Sequence, residues 1–488
     1  MRRRLPKRRS HRRTSSQNRA LVILLGSTVL ILLFVLQRST TGGPEVNAQP
    51  ATALGLAVSP RGKENEWGGI LEGIPQKPRS EMDIHVVFST DCSPYQNYQS
   101  LLLFHSAETM EQGSVTRVAS GCTAEEEDEL RCLMELQPSR FRVHFTPDFS
   151  MDEATGKRFP FYNKPNGMAH FLRHADPPVE EAVIALVDPD MVFMSRLRPY
   201  VGDKEMMLWR NLASEDGPDW VEEGHPVGQY YGLGGQWTNW ADLKDIAQGL
   251  GAKNSPALQA GFVEATERYS VGPPYMMHPR DWARVIDLWV KMCPEVYQRH
   301  PGILAEMYGF CVGAAHIGLR HRVASGLMVS DSKMAATSEG WPLIDMLGDE
   351  VCDPVAVERQ RKYLPPISHF CQMYRVGTYM FGKRLARLQD FFSCDSDFLE
   401  LPPAYLLSTE MARFRVHPTK IELVDSSVTY RQGYIMCGVI RSLNDALKSF
   451  KDRYCREDER SGGTQRLTDL TPKRLKEAEA EIAEMASE

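Results

Sequence analysis

Hydrophobic and polar positions along the chain switch repeatedly between two periods. Short β-rich runs fall at 84–90, 114–120, 140–145 and 183–187, and helical spacing is legible at 95–107 and 165–173. Strand, helix and strand in alternation predict a mostly parallel sheet with crossover helices, an α/β class. The run Val183-Ile-Ala-Leu-Val187 is apolar throughout, as expected for a strand covered on both faces. Pro189 cannot donate to a ladder, so this strand ends at the pair Asp188 and Asp190. Further on, Trp282, Val285, Trp289 and Met292 recur at helical spacing within 280–292, a stripe read as core packing. A last helix is predicted over 434–450. The Gly- and Trp-rich segment 211–257 is expected to form long loops over the sheet, and the chain turns irregular after 384. Residues 456–488, highly charged and without aromatics, are expected to be a solvated tail.

Charge divides the chain unevenly. Residues 1–19 carry nine Arg or Lys and no acid. The net charge of -6, less those nine positive charges, leaves the remainder at -15, which excludes the basic footprint of a nucleic-acid binder. Residues 20–36 are uncharged and apolar, and as a helix they reach roughly 25 Å, enough for a thin bilayer. With the positive charge before it, this stretch reads as a transmembrane signal anchor, leaving a cytosolic tail at 1–19 and the bulk of the chain lumenal. A Gly-, Pro- and Ala-rich stem follows at 37–82, then a catalytic-sized body at 83–455. Ten cysteines fall in this body without CxxC spacing, so a structural, disulfide role is expected, with the pairing open.

Two carboxylates one residue apart at the carboxyl end of a central strand sit where open α/β sheets place their ligands, and can share a hard divalent cation. Surface turns are also rich in Asp and Pro, so the pair alone leaves a solvated turn open. The apolar strand before it favours the metal.

Five stretches resemble the plant and algal hydroxyproline O-arabinosyltransferase family and the related peptidyl-serine α-galactosyltransferases. They are His85-Val-Val-Phe-Ser-Thr-Asp-Cys92, 162–172, Asp188-Pro-Asp-Met-Val-Phe193, Glu306-Met-Tyr-Gly-Phe310 running on to 318–321, and Ile367-Ser-His-Phe370 with Phe381-Gly-Lys-Arg384. The resemblance implies a GT-A-like open sheet behind one N-terminal transmembrane helix. It also implies a Golgi single-pass type II membrane protein that moves a sugar from a UDP-sugar to hydroxyproline, or else galactose to serine, of secreted glycoproteins.

The same resemblance suggests roles. Asp188 and Asp190, with His369 as third ligand, would hold Mn²⁺ or Mg²⁺ against the UDP phosphates. His369 beside an apolar run is equally a satisfied core residue. Lys383 and Arg384 would clamp the β-phosphate, or stand as a solvated basic pair. Glu306 would contact the donor sugar or orient the acceptor, or else cap a helix or pair with Arg320. Asn163 and Lys164 would touch the nucleotide or donor sugar, or form a turn before Pro165. Asp91, ending the first strand, would meet uracil or ribose. Both relatives retain anomeric configuration, which implies front-face attack assisted by the leaving phosphate. Two other classes compete. A metal phosphohydrolase would need more acids than this pair, and a non-catalytic lumenal binding protein would have no physical need of Asp188, Asp190, His369 and Lys383 together.

Overall fold

The computed structural model describes residues 83–485, apart from 135–139, 153–154, 181, 204–206, 210–216, 249, 251–253 and 336–337. The expected signal anchor at 20–36, the basic tail and the stem lie outside the described residues. Among those described, no helix is long and apolar enough to cross a membrane.

Seven strands form the central sheet: β1 (Asp83–Thr90), β2 (Ser114–Ser120), β3 (Phe141–Thr146), β4 (Ala182–Val187), β6 (Val227–Tyr230), β7 (Val271–Met277) and β8 (Arg322–Ala324), in the order β3-β2-β1-β4-β7-β6-β8. The strands β3, β2, β1 and β4 run parallel, and β7 alone is reversed, pairing antiparallel with both β4 and β6. A parallel sheet must be covered on both faces, and the alternation along β1 shows how. Phe88 meets Phe104 of the helix Pro94–Thr109 on one face, and His85 meets Phe171 of the helix Asn163–His174 on the other. The first helix starts cleanly because Ser93 caps Gln96 N and Pro94 occupies the first turn, where no donor is needed. Two prolines inside β7, Pro273 and Pro274, fall where the β6–β7 register shifts between Gly228 and Gln229. Their missing donors therefore interrupt no ladder bond there.

A second sheet continues directly from the first. After β4 the chain passes through Asp188-Pro-Asp190 into β5 (Met191–Phe193), which pairs antiparallel with β10 (Ile367–His369), itself beside β9 (Met328–Val329). A hairpin of β11 (Met373–Val376) and β12 (Tyr379–Gly382) follows, turning at Gly377 with φ +54°, where a Cβ would also strike Leu406.

Two apolar clusters underlie these layers. The larger holds both faces of the central sheet with Trp282, Trp289 and Phe310. The smaller gathers around the helix Ser426–Tyr454. Disulfides Cys92–Cys122, Cys352–Cys437 and Cys394–Cys455 tie the loops down, and the last two anchor that helix. Cys132, Cys293, Cys311 and Cys371 remain free thiols.

Two expectations are corrected. The segment 211–257 is not only loop: it supplies β6, a strand inside the central sheet, and the helix Leu243–Gln248. Nor is 456–488 a solvated tail. Thr464–Gln465 pairs with Phe398–Leu399, and Leu467, Leu470, Ala478 and Ile482 are buried in the smaller cluster, the last two on the helix Pro472–Met485. The predicted helix at 434–450 is longer in both directions, because Asp425 caps it at Ser427 N.

Candidate active site

The carboxyl end of β4 opens into a cavity of about 820 Å³. Its floor is set by the strand break at Pro189. Asp190 directly precedes β5, whose antiparallel pairing with β10 places His369 opposite Met191, and Phe370 N donates to Asp190 O at 3.0 Å. That ladder brings together two side chains far apart in sequence. Among the described residues, Asp188, Asp190 and His369 form the one group able to offer a cation three ligand atoms, all within 4.8 Å of one another. Two carboxylates and an imidazole are an oxygen-rich set suited to Mn²⁺ or Mg²⁺.

Two lysines flank the acids. Lys164, in the first turn of its helix, places Nζ 2.8 Å from Asp188 Oδ1 and 3.4 Å from Glu306 Oε2. Lys383, just after β12, pairs with Asp190 Oδ2, while Tyr98 Oη donates to the Lys383 carbonyl and fixes the strand end. His369 Nε2 lies 3.2 Å from Asp190 Oδ1.

These neighbours decide the charge states. Burial works against the Lys164 ammonium, but Asp188 and then Glu306 outweigh it and hold its pKa above the ordinary lysine value. Burial likewise opposes an ionised Asp190, yet His369 and Lys383 overrule it and hold the carboxyl well below the usual range. For Glu306 burial wins. Its pKa is pushed up to about 7, with Lys164 pulling down and Asp188 pushing up. Lys164 thus belongs chiefly to Asp188, the nearer of its two acids. Glu306 Oε1 is buried without a hydrogen-bond partner, an uncompensated acceptor of the kind that native folds seldom leave.

The other expected residues are placed as follows. Asp91 lines the cavity at the end of β1, and its Oδ1 accepts from Ser93 N at 2.9 Å. Asn163 also lines the cavity, but its side chain is committed to a turn, accepting from Phe149 N at 2.7 Å and donating to Asp148 at 3.3 Å. Arg384 is exposed on the wall beside Lys383. Glu306 does not pair with Arg320, which reaches Glu264 instead. Tyr231 was missed by the sequence reading. Its Oη lies 3.2 Å from His369 Nδ1 and its ring lines the cavity. The signal was the β-rich run Val227-Gly-Gln-Tyr-Tyr231, hidden in the segment read as loop.

Fold and site together define an α/β protein with an acid–histidine cluster at the carboxyl edge of its central sheet. No family model matches the chain. Over 248 residues, half of the chain, it is 27% identical to a peptidyl serine alpha-galactosyltransferase of Arabidopsis thaliana. Over 263 residues, 49% of the chain, it is 26% identical to a peptidyl serine alpha-galactosyltransferase of Chlamydomonas reinhardtii. The resemblance seen in the motifs is met on its serine galactosyltransferase side. The chain spans less than a third of those relatives, 28% and 31% of their lengths. Solved structures with partial similarity include the bifunctional glycosyltransferase WbbM (TM-score 0.32, 11% identity, 61% of this chain and 47% of that one). Another is the galactosyltransferase LgtC in complex with donor and acceptor sugar analogs (TM-score 0.29, 11% identity, 59% and 87%).

Proposed function

We propose that the protein is a cation-dependent glycosyltransferase with a GT-A-like fold that moves a sugar from a UDP-sugar to a peptide hydroxyl. One observation carries this reading: Asp188, Asp190 and His369 converge at the carboxyl edge of β4, inside a cavity whose wall also presents Lys383 and Arg384. Similarity to the two serine galactosyltransferases favours galactose as donor and serine as acceptor. The hydroxyproline acceptor and arabinofuranose donor implied by the motifs are the second arm of the same test.

In this reading a bound Mn²⁺ or Mg²⁺ supplies Lewis-acid neutralisation of the charge that grows on the departing diphosphate. The chain's own residues do the rest. Asp188, Asp190 and His369 hold the cation, and Lys383 with Arg384 receives the β-phosphate. Lys164 fixes Asp188 and keeps a positive charge beside Glu306. The orphaned Glu306 Oε1 accepts a hydrogen bond from a donor-sugar or acceptor hydroxyl. Glu306 is not assigned as a nucleophile, and we assign front-face attack in which the leaving phosphate takes the acceptor's proton. A glycosyl-enzyme trapped on Glu306 would contradict that step.

We place the protein in the Golgi membrane as a single-pass type II protein with its catalytic body lumenal. The three disulfides support an oxidising compartment. The test offers UDP-galactose and UDP-arabinofuranose separately, with Mn²⁺, to serine-rich and hydroxyproline-rich peptides, and reads peptide mass. One added hexose supports the galactosyl reading and one added pentose the arabinosyl reading. Free phosphate released without mass gain points to a phosphohydrolase and overturns both.

A further inference from the structure

His369 has two ring nitrogens, and three polar side chains stand at its ring: Asp190, Tyr231 and the free thiol of Cys371. Nε2 faces Asp190 Oδ1 at 3.2 Å, and Nδ1 faces Tyr231 Oη at 3.2 Å. An imidazole can offer a cation a lone pair on one nitrogen only if the proton sits on the other, and that N–H then needs an acceptor. Tyr231 Oη is the oxygen that lies at hydrogen-bond distance from Nδ1. Resting on the cation site proposed above, we infer that Tyr231 is the positioning residue of that site: it accepts from His369 Nδ1–H and so holds Nε2 toward Asp190.

A second observation shows that the tyrosine ring is seated by the fold. Tyr231 follows β6 directly, and Gly272 of β7 faces its ring. A Cβ at position 272 would lie 2.3 Å from Cδ2 of Tyr231 and 2.5 Å from Cγ. Gly272 shows no left-handed φ, so a methyl there clashes with the ring rather than straining the backbone. The missing side chain at 272 is therefore the cradle in which Tyr231 lies, next to the register shift that brings Gln229 opposite Gly272. Two strands of the central sheet thus set the orientation of an imidazole carried by the second sheet.

The test uses the full chain, Mn²⁺ alone as probe, and electron paramagnetic resonance to read both free Mn²⁺ and the imidazole-nitrogen coupling of bound Mn²⁺. Tyr231→Phe removes only the hydroxyl. It should raise the Mn²⁺ Kd about 10–100-fold and weaken the nitrogen coupling, with an unchanged melting temperature. Gly272→Ala keeps the hydroxyl but displaces the ring, and should shift both readouts in the same direction. A Tyr231→Phe protein that binds Mn²⁺ within twofold of wild type overturns the inference. So does one whose affinity falls with the nitrogen coupling intact, or a wild-type chain that binds no Mn²⁺. The readout is independent of turnover, so failure to transfer sugar counts against the proposed function and not against Tyr231.

Discussion

Lys383 and Asp190 form an ion pair in which the ammonium takes Oδ2, while Oδ1 of the same carboxylate faces His369 Nε2 at 3.2 Å. Both oxygens that would serve a cation are thus already engaged, by the two side chains that hold this carboxyl ionised. In the proposed function a cation bound at Asp190 would displace the Lys383 ammonium, which would then be available for a phosphate.

Lys383→Met should therefore move two affinities in opposite directions. Removing a competing cation tightens Mn²⁺ binding by about 1 kcal/mol, roughly fivefold. Losing a charge-assisted hydrogen bond weakens UDP binding by about 1.5–3 kcal/mol, roughly 10–100-fold. Calorimetric titration of each ligand checks this. A parallel loss of both affinities would mean that Lys383 supports the site only structurally.

Glu306 gives the site a pH dependence of definite sign. Its folded pKa of about 7 lies above the ordinary 4.5, so the folded chain keeps a proton that the unfolded chain releases. Stability from this group is present below about 4.5 and lost as pH rises through 7. Glu306→Gln, which cannot ionise, should gain in melting temperature relative to wild type between pH 5 and pH 8. If Glu306 accepts from a substrate hydroxyl as the ionised carboxylate, as in the proposed function, the wild-type rate should rise with a midpoint near 7. The glutamine variant should be about tenfold slower, without that limb. A wild-type profile flat from pH 6 to 8 contradicts the assignment.

Leu467 is 1% exposed within a stretch whose composition reads as solvated. Leu467→Ala should cost about 2–4 kcal/mol, and ending the chain at 455 should cost more, because it uncovers the face that Leu470, Ala478 and Ile482 bury. Denaturant midpoints of the two variants measure this. An unchanged midpoint on truncation would restore the solvated-tail reading.

The Cys352–Cys437 bridge closes 85 residues and pins the helix Ser426–Tyr454. Replacing both cysteines with serine should destabilise the folded chain by about 2–5 kcal/mol, seen as a lower melting temperature that added reductant no longer changes as it does in wild type.

What could be read from the sequence, and what could not, follows from how local each signal is. The strands β1, β2 and β4 carry their own apolar runs, and Pro189 marks the end of β4 at the acid pair, so this corner of the site was legible. His369 and Lys383 were legible as residues, but their meeting with Asp190 depends on the β5–β10 pairing, which no local pattern announces. Tyr231 was masked because the strand it follows, β6, has only four residues and sits among glycines and tryptophans. The C-terminal segment misled for a related reason. Its buried positions are sparse and separated by charges, so composition outweighed a narrow apolar stripe with Ala478 and Ile482 four apart.

In the proposed function a cation held by Asp188, Asp190 and His369 would carry the diphosphate of the donor. The most direct measurement is UDP binding to the full chain with Mn²⁺ and with EDTA, for wild type and Asp190→Ala. UDP should bind wild type with Mn²⁺ only, and the variant in neither condition. UDP binding that survives EDTA and the Asp190→Ala change would contradict it.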